Sequence, residues 1–211
     1  MANKLFSFLI VSATVVLLLG GSVFLVIYDY QIYEPLYSDS FKTGKGDQQF
    51  LTELAVDYIS GIDVSLFPFE REEKDHLDDV RALVSTTEVV TVVSLVLLIL
   101  LIPYAWFYKK EKRRVLWAVW YGSLSVTVLA LVVVFGALVQ FDNFFTNIHY
   151  VLFPQGGWAF GENSLLLLLF PQEFFFYMFE RIVMFMLMGG ALVWLVVSTV
   201  LGLNPEKFRL N

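Results

Sequence analysis

Between Phe141 and Phe176 the chain reads FDNFFTNIHYVLFPQGGWAFGENSLLLLLFPQEFFF, a stretch flanked on both sides by long apolar runs. Asn147, His149, Tyr150, Gln155 and Trp158 carry polar atoms among Phe144, Phe145, Phe153 and Phe160, while Pro154, Gly156 and Gly157 force the backbone to turn. A connection that met only water would be polar. This one is expected to fold back along a membrane surface and to present His149 to an apolar neighbour. Leu165 to Leu169, bounded by Pro171, is too short to span and is expected to dip into the interface.

The remainder of the chain agrees with a membrane setting. Of its 211 residues 58% are hydrophobic and only 16% charged, more apolar surface than one small soluble core can hide. There is no cysteine, which excludes disulfides, a thiolate nucleophile and cysteine metal ligands. Leu5 to Ile27 holds no charge and is long enough to cross a hydrocarbon layer about 30 Å thick. It also exceeds the apolar core of a signal peptide, so it is expected to be retained. Further apolar runs occupy Val89 to Phe107, Val115 to Val139 and Ile182 to Leu203.

The expected fold class is therefore an all-α integral membrane protein, with four transmembrane helices and a small helical extracellular cap. The helices fall at 1–28, 88–108, 115–140 and 179–203. The cap covers 29–87, a cytoplasmic loop 109–114, an extracellular interfacial aromatic segment 141–178 and a cytoplasmic tail 204–211. Orientation follows from the basic residues. Lys4, the cluster Lys109, Lys110, Lys112, Arg113 and Arg114, and the pair Lys207 and Arg209 hold both termini in the cytoplasm. The 29–87 insertion carries thirteen acids against five bases and is placed outside, together with both histidines.

Within the cap, Leu51, Leu54, Ala55, Tyr58 and Ile59 repeat at helical spacing, with Asp47 as the expected N-cap and Gly61 as the stop. A second helix is expected from Glu70 to about Val84, on which His76, Asp79, Val80 and Leu83 share a face.

Few chemistries fit these residues. Neutral imidazole accepts a proton near neutral pH, which suits His76 and His149 to acid and base steps; each is equally readable as an interfacial hydrogen-bonding residue. Asp75, Asp78 and Asp79 are readable as orienting groups for His76 or as a solvated acidic face. A zinc site built from the histidines and these carboxylates finds no His-x-x-x-His spacing, so no metal is expected. No Gly-x-Ser-x-Gly elbow and no glycine-rich phosphate loop occurs. Glu180 and Arg181 enter a greasy helix, where an unpaired charge costs about 2.5–3.5 kcal/mol on insertion scales. Glu180 reads as an anchor, and Arg181 as a holder of a polar lipid group.

The stretches His76–Leu77–Asp78–Asp79–Val80–Arg81 and His149–Tyr150–Val151–Leu152–Phe153–Pro154–Gln155–Gly156–Gly157–Trp158–Ala159–Phe160, followed by Leu165 to Pro171, resemble the lipoprotein intramolecular transacylase family of Gram-positive bacteria, over the whole four-span layout. The resemblance implies an acyltransferase in the bacterial cell membrane. It moves the sn-2 acyl chain of a diacylglyceryl lipoprotein to the α-amino group of that lipoprotein's N-terminal cysteine, leaving a lyso form. By position it implies that His76 and His149 are catalytic. Asp79, Arg81, Asn147 and Arg181 are then expected to orient or contact substrate, and Phe153, Trp158 and Phe160 to wall the pocket. The expected partners are the diacylglyceryl lipoprotein and membrane lipid, with no cofactor, no nucleic acid and a monomeric state. The competing class is a non-enzymatic lipid-binding or sensor membrane protein with an extracellular cap.

Overall fold

The structure, a computed structural model, describes residues 2–37 and 48–202. Among them every regular element is helical. Seven α-helices follow in order: α1 (Ala2–Ile27), α2 (Gln48–Ile59), α3 (Arg71–Pro103), α4 (Lys112–Val139), α5 (Phe141–Leu152), α6 (Leu165–Leu169) and α7 (Gln172–Val200). A 3-10 helix covers Tyr30–Tyr37, and a π-helical turn Tyr104–Tyr108 closes the end of α3 behind Pro103. Four helices, Lys4–Ile27, Arg71–Tyr108, Lys112–Val139 and Gln172–Val200, are long and apolar enough to cross a membrane. Asp47 and the tail bases Lys207 and Arg209 lie outside the described residues.

Two readings of the sequence need adjusting. The helix expected from Glu70 to Val84 and the apolar run from Val89 belong to one uninterrupted helix, α3. Nothing between them breaks a helix: Ser85, Thr86, Thr87 and Glu88 are polar but include no Gly or Pro, and the Thr87 hydroxyl donates to the Leu83 carbonyl at 2.8 Å. A helix of 33 residues runs to about 50 Å, longer than a hydrocarbon layer of about 30 Å is thick. The aromatic stretch after Phe141, expected only as a turning segment, opens with a regular amphipathic helix, α5.

The chain divides into two compact units. The first comprises Met1–Phe24, Val89–Val134 and Ile182–Asn211. Its helices approach closely where one of them is bare: a Cβ on Gly20 would sit 1.9 Å from Thr91 Oγ1, one on Gly122 2.7 Å from Thr14 Cβ, and one on Gly190 2.6 Å from Thr127 Oγ1. Lipid tails give apolar side chains no reason to leave them, so close backbone packing at small residues has to supply the attraction. The outward faces stay greasy, as with Val92, Val96, Ile99 and Leu100 on α3.

The second unit comprises Leu25–Glu88 and Phe135–Arg181. Its core joins Ala55 of α2, Leu66 and Phe69 of the following loop, Leu77 of α3 and Leu166 and Leu169 of α6. This burial explains α6, a five-leucine helix too short to be stable in water by itself. Gly61, at φ +95°, ends the α2 segment as expected, and the Tyr28 hydroxyl, beyond α1, donates to Glu88 of α3.

Candidate functional site

Both histidines belong to the second unit. His76 lies on the second turn of α3, and His149 on the last turn of α5. The Phe153 amide closes α5 by donating to the His149 carbonyl at 2.8 Å, and the Gly156 amide returns to the Phe153 carbonyl at 3.0 Å. Gly156 and Gly157 then take φ of +81° and +82°, values that a side chain would strain. The chain so reversed lays Trp158 and Phe160 against the two imidazoles.

The ring geometry brings the histidines together. The His76 centroid lies 4.8 Å from that of Phe153 and 5.5 Å from that of Phe160, both edge-on. The His149 centroid lies 5.8 Å from the same Phe153 ring, 5.0 Å from Trp158 and 4.2 Å from Phe145. One phenyl ring, buried to 5% exposure, therefore serves both imidazoles, whose centroids lie no farther apart than the sum of their distances to it. Burial depresses the His76 pKa below the ordinary imidazole value, and repulsion from His149 adds to this against the opposing pull of Asp79.

The two imidazoles differ in their hydrogen bonds. His149 Nδ1 lies 2.8 Å from the Phe145 carbonyl oxygen one turn earlier. A carbonyl only accepts, so Nδ1 carries the hydrogen and, in the neutral ring, Nε2 is the basic nitrogen. His76 Nδ1 is buried and finds no partner among the described residues.

The other expected site residues scatter. Asp79 accepts from the Gln155 amide at 2.8 Å and so ties α3 to the turn that carries Trp158. Arg81 is engaged elsewhere, with Asp63 at 2.8 Å, the Gly61 carbonyl at 3.0 Å and the Tyr58 ring 4.7 Å away. Asn147 is exposed on α5, two residues from His149 and hence off its face. Arg181 is exposed and bonded to Tyr177 of its own helix at 2.6 Å. Asp79, Phe153, Trp158 and Phe160 thus gather with the histidines, whereas Arg81, Asn147 and Arg181 do not.

Sequence reasoning missed Glu73. It is 3% exposed and accepts from the Glu70 amide at 2.9 Å, the Ser164 hydroxyl at 2.6 Å and the Leu166 amide at 3.1 Å. The signal was present as Glu73-x-x-His76, two groups on one helical face, and as the position in a first turn from which a glutamate reaches back to its helix's own N-terminus.

Against known proteins, the family model described as lipoprotein intramolecular transacylase Lit matches residues 4–175. The membrane integral lipoprotein intramolecular transacylase Lit of Bacillus cereus shares the fold, with a TM-score of 0.76 at 18% identity, covering 100% of this chain and 99% of that one. Two forms of it with one histidine replaced superpose similarly. The arginine form has a TM-score of 0.69 at 17% identity, covering 98% and 95% of the two chains. The alanine form has a TM-score of 0.74 at 18% identity, covering 100% and 96%. No curated protein sequence matches this chain.

Proposed function

This chain belongs to the lipoprotein intramolecular transacylase family, as an integral, multi-pass membrane acyltransferase, and from that premise we propose the reaction, the residues that carry it and their orientation in the membrane. The substrate is a diacylglyceryl lipoprotein. Its sn-2 acyl chain moves to the α-amino group of its own N-terminal cysteine, leaving a lyso lipoprotein.

The attacking α-amine, with an unperturbed pKa of about 7.7–8, must shed a proton, and the departing glyceryl oxygen must gain one. His149 Nε2 takes the proton as nitrogen bonds to the ester carbonyl carbon. It returns that proton to the glyceryl oxygen as the carbon–oxygen bond breaks. His76, kept neutral by burial, donates from Nε2 to the oxyanion that forms between these steps. Ester plus amine becomes amide plus alcohol, with no acyl-enzyme. The reacting atoms close a floppy medium ring, and restraint by Phe153, Trp158 and Phe160 would contribute up to about 7–11 kcal/mol in the best intramolecular cases. Asp79 helps to orient the site, and both termini face the cytoplasm.

The observation that carries this reading is the shared Phe153 ring, with His149 already fixed in the base tautomer. The test is to express His76→Ala and His149→Ala in a host that makes diacylglyceryl lipoproteins and to weigh the N-terminal lipopeptide by mass spectrometry. Each variant is expected to cut the lyso form by about 10²–10⁴-fold. Wild-type yields from both would dismiss the proposal.

A further inference from the structure

Glu73 is the one buried acid on α3 and takes no part in the acid and base steps proposed above. No Lys or Arg pairs with it among the described residues. Its carboxyl oxygens are occupied by three donors from two separate parts of the chain. Oε2 accepts from the Glu70 amide at 2.9 Å, an internal stitch at the start of α3. Oε1 accepts from the Ser164 hydroxyl at 2.6 Å and the Leu166 amide at 3.1 Å, at the start of α6. Burying a carboxyl group is costly unless its oxygens are satisfied, and here three donors satisfy them.

The consequence lies in what runs between the anchors. Residues 153–164 leave α5 at Phe153, pass Trp158 against His149 and Phe160 against His76, and end at Ser164. The segment is held at one end by the close of α5 and, two residues on, by the exposed Gln155–Asp79 bond. At the far end it is held by Glu73, which also lies one helical turn from His76 on the same face of α3. A single side chain therefore fixes both the helix that presents His76 and the end of the segment that walls both imidazoles.

We infer that Glu73, acting through Ser164 and Leu166, is a positioning residue that sets the aromatic wall of the histidine site in register with His76. This rests on the reading of the two histidines given above. A lateral slip of about 1 Å in such a wall is enough to cost on the order of 10²-fold in turnover while the fold survives.

The test uses the full-length enzyme in detergent micelles with a synthetic diacylglyceryl lipopeptide, following kcat, KM and the thermal midpoint together. Ser164→Ala is expected to lower kcat by about tenfold with KM within about twofold and little change in the midpoint, and Ser164→Thr, which keeps the hydroxyl, to recover most of it. Glu73→Gln is expected to lower kcat further, and the double variant Glu73→Gln with Ser164→Ala to be no worse than Glu73→Gln alone, because both remove one linkage. Should Glu73→Gln fail to fold, the two Ser164 variants decide the matter. Unchanged kcat in Ser164→Ala, or a fall that Ser164→Thr does not reverse, overturns the inference. If His76→Ala and His149→Ala keep their activity, it is the histidine reading that fails. If those two are inactive while Ser164→Ala and Glu73→Gln turn over normally, the positioning role of Glu73 fails alone.

Discussion

At the scale of single residues, the two imidazoles are tuned in different ways, and the difference has a measurable consequence. The folded pKa of His76 lies below its unfolded value of about 6.5. The unfolded chain therefore binds the extra proton first. Stability associated with neutral His76 is fully present above about pH 6.5 and is lost as pH falls through that value, until the folded group protonates as well. The thermal midpoint of wild type relative to His76→Ala is accordingly expected to shrink between pH 7.5 and 5. In His149→Ala the acid-side loss should begin at the same pH but be smaller and end at higher pH, since repulsion from His149 is the second cause of the depression. A gap independent of pH would contradict this account. The histidines themselves stood out in the sequence as candidates, but their meeting did not. Seventy-two positions separate them, and only the shared contact with Phe153 brings them together. Glu73 shows the converse: its spacing to His76 was visible, yet its burial depends on α6, whose place no periodicity reveals.

At the scale of helices, the apolar runs were legible because an uncharged stretch of about twenty residues has few other uses. Their ends were less so. A polar but unbroken Ser85-Thr-Thr-Glu88 passage reads as a boundary by composition and continues as helix by hydrogen bonding, since a backbone already satisfied within its own helix has no cause to leave it. How helices meet was hidden as well, because glycines are silent in a hydropathy pattern. Gly122→Ala would drive a methyl to 2.7 Å from Thr14 Cβ and 3.1 Å from the Val11 carbonyl, neither of them the free end of a flexible chain. Overpacking of this kind costs about 1–3 kcal/mol, and the variant is expected to melt several degrees lower. Gly21→Ala, whose new methyl meets nothing within 4 Å, is expected to be neutral or to gain up to about 1 kcal/mol from helix propensity. Equal melting of the two variants would refute the close-packing account of the first unit.

At the scale of the whole molecule, the cysteine-free sequence makes the proposed orientation directly testable. A single cysteine in place of Asp63, 93% exposed in its side chain, is expected to react with a membrane-impermeant maleimide on intact cells. One in place of Lys110, exposed in the basic link, is expected to react only after the cells are opened. The reverse pattern would invert the proposed topology and put the histidines on the cytoplasmic side. Charge asymmetry is the ground of the proposed orientation; what the sequence lacked was any sign of which side chains converge, because convergence is a property of the folded second unit.

The hydrogen bond between His149 and the Phe145 carbonyl lies wholly inside α5. The group that orients the imidazole therefore travels with it, in a detergent micelle as in a bilayer. Were α5 to tilt as an acyl chain enters beside Phe153, its base would arrive with the proton already parked on the far nitrogen, and no partner on another helix would have to follow the movement.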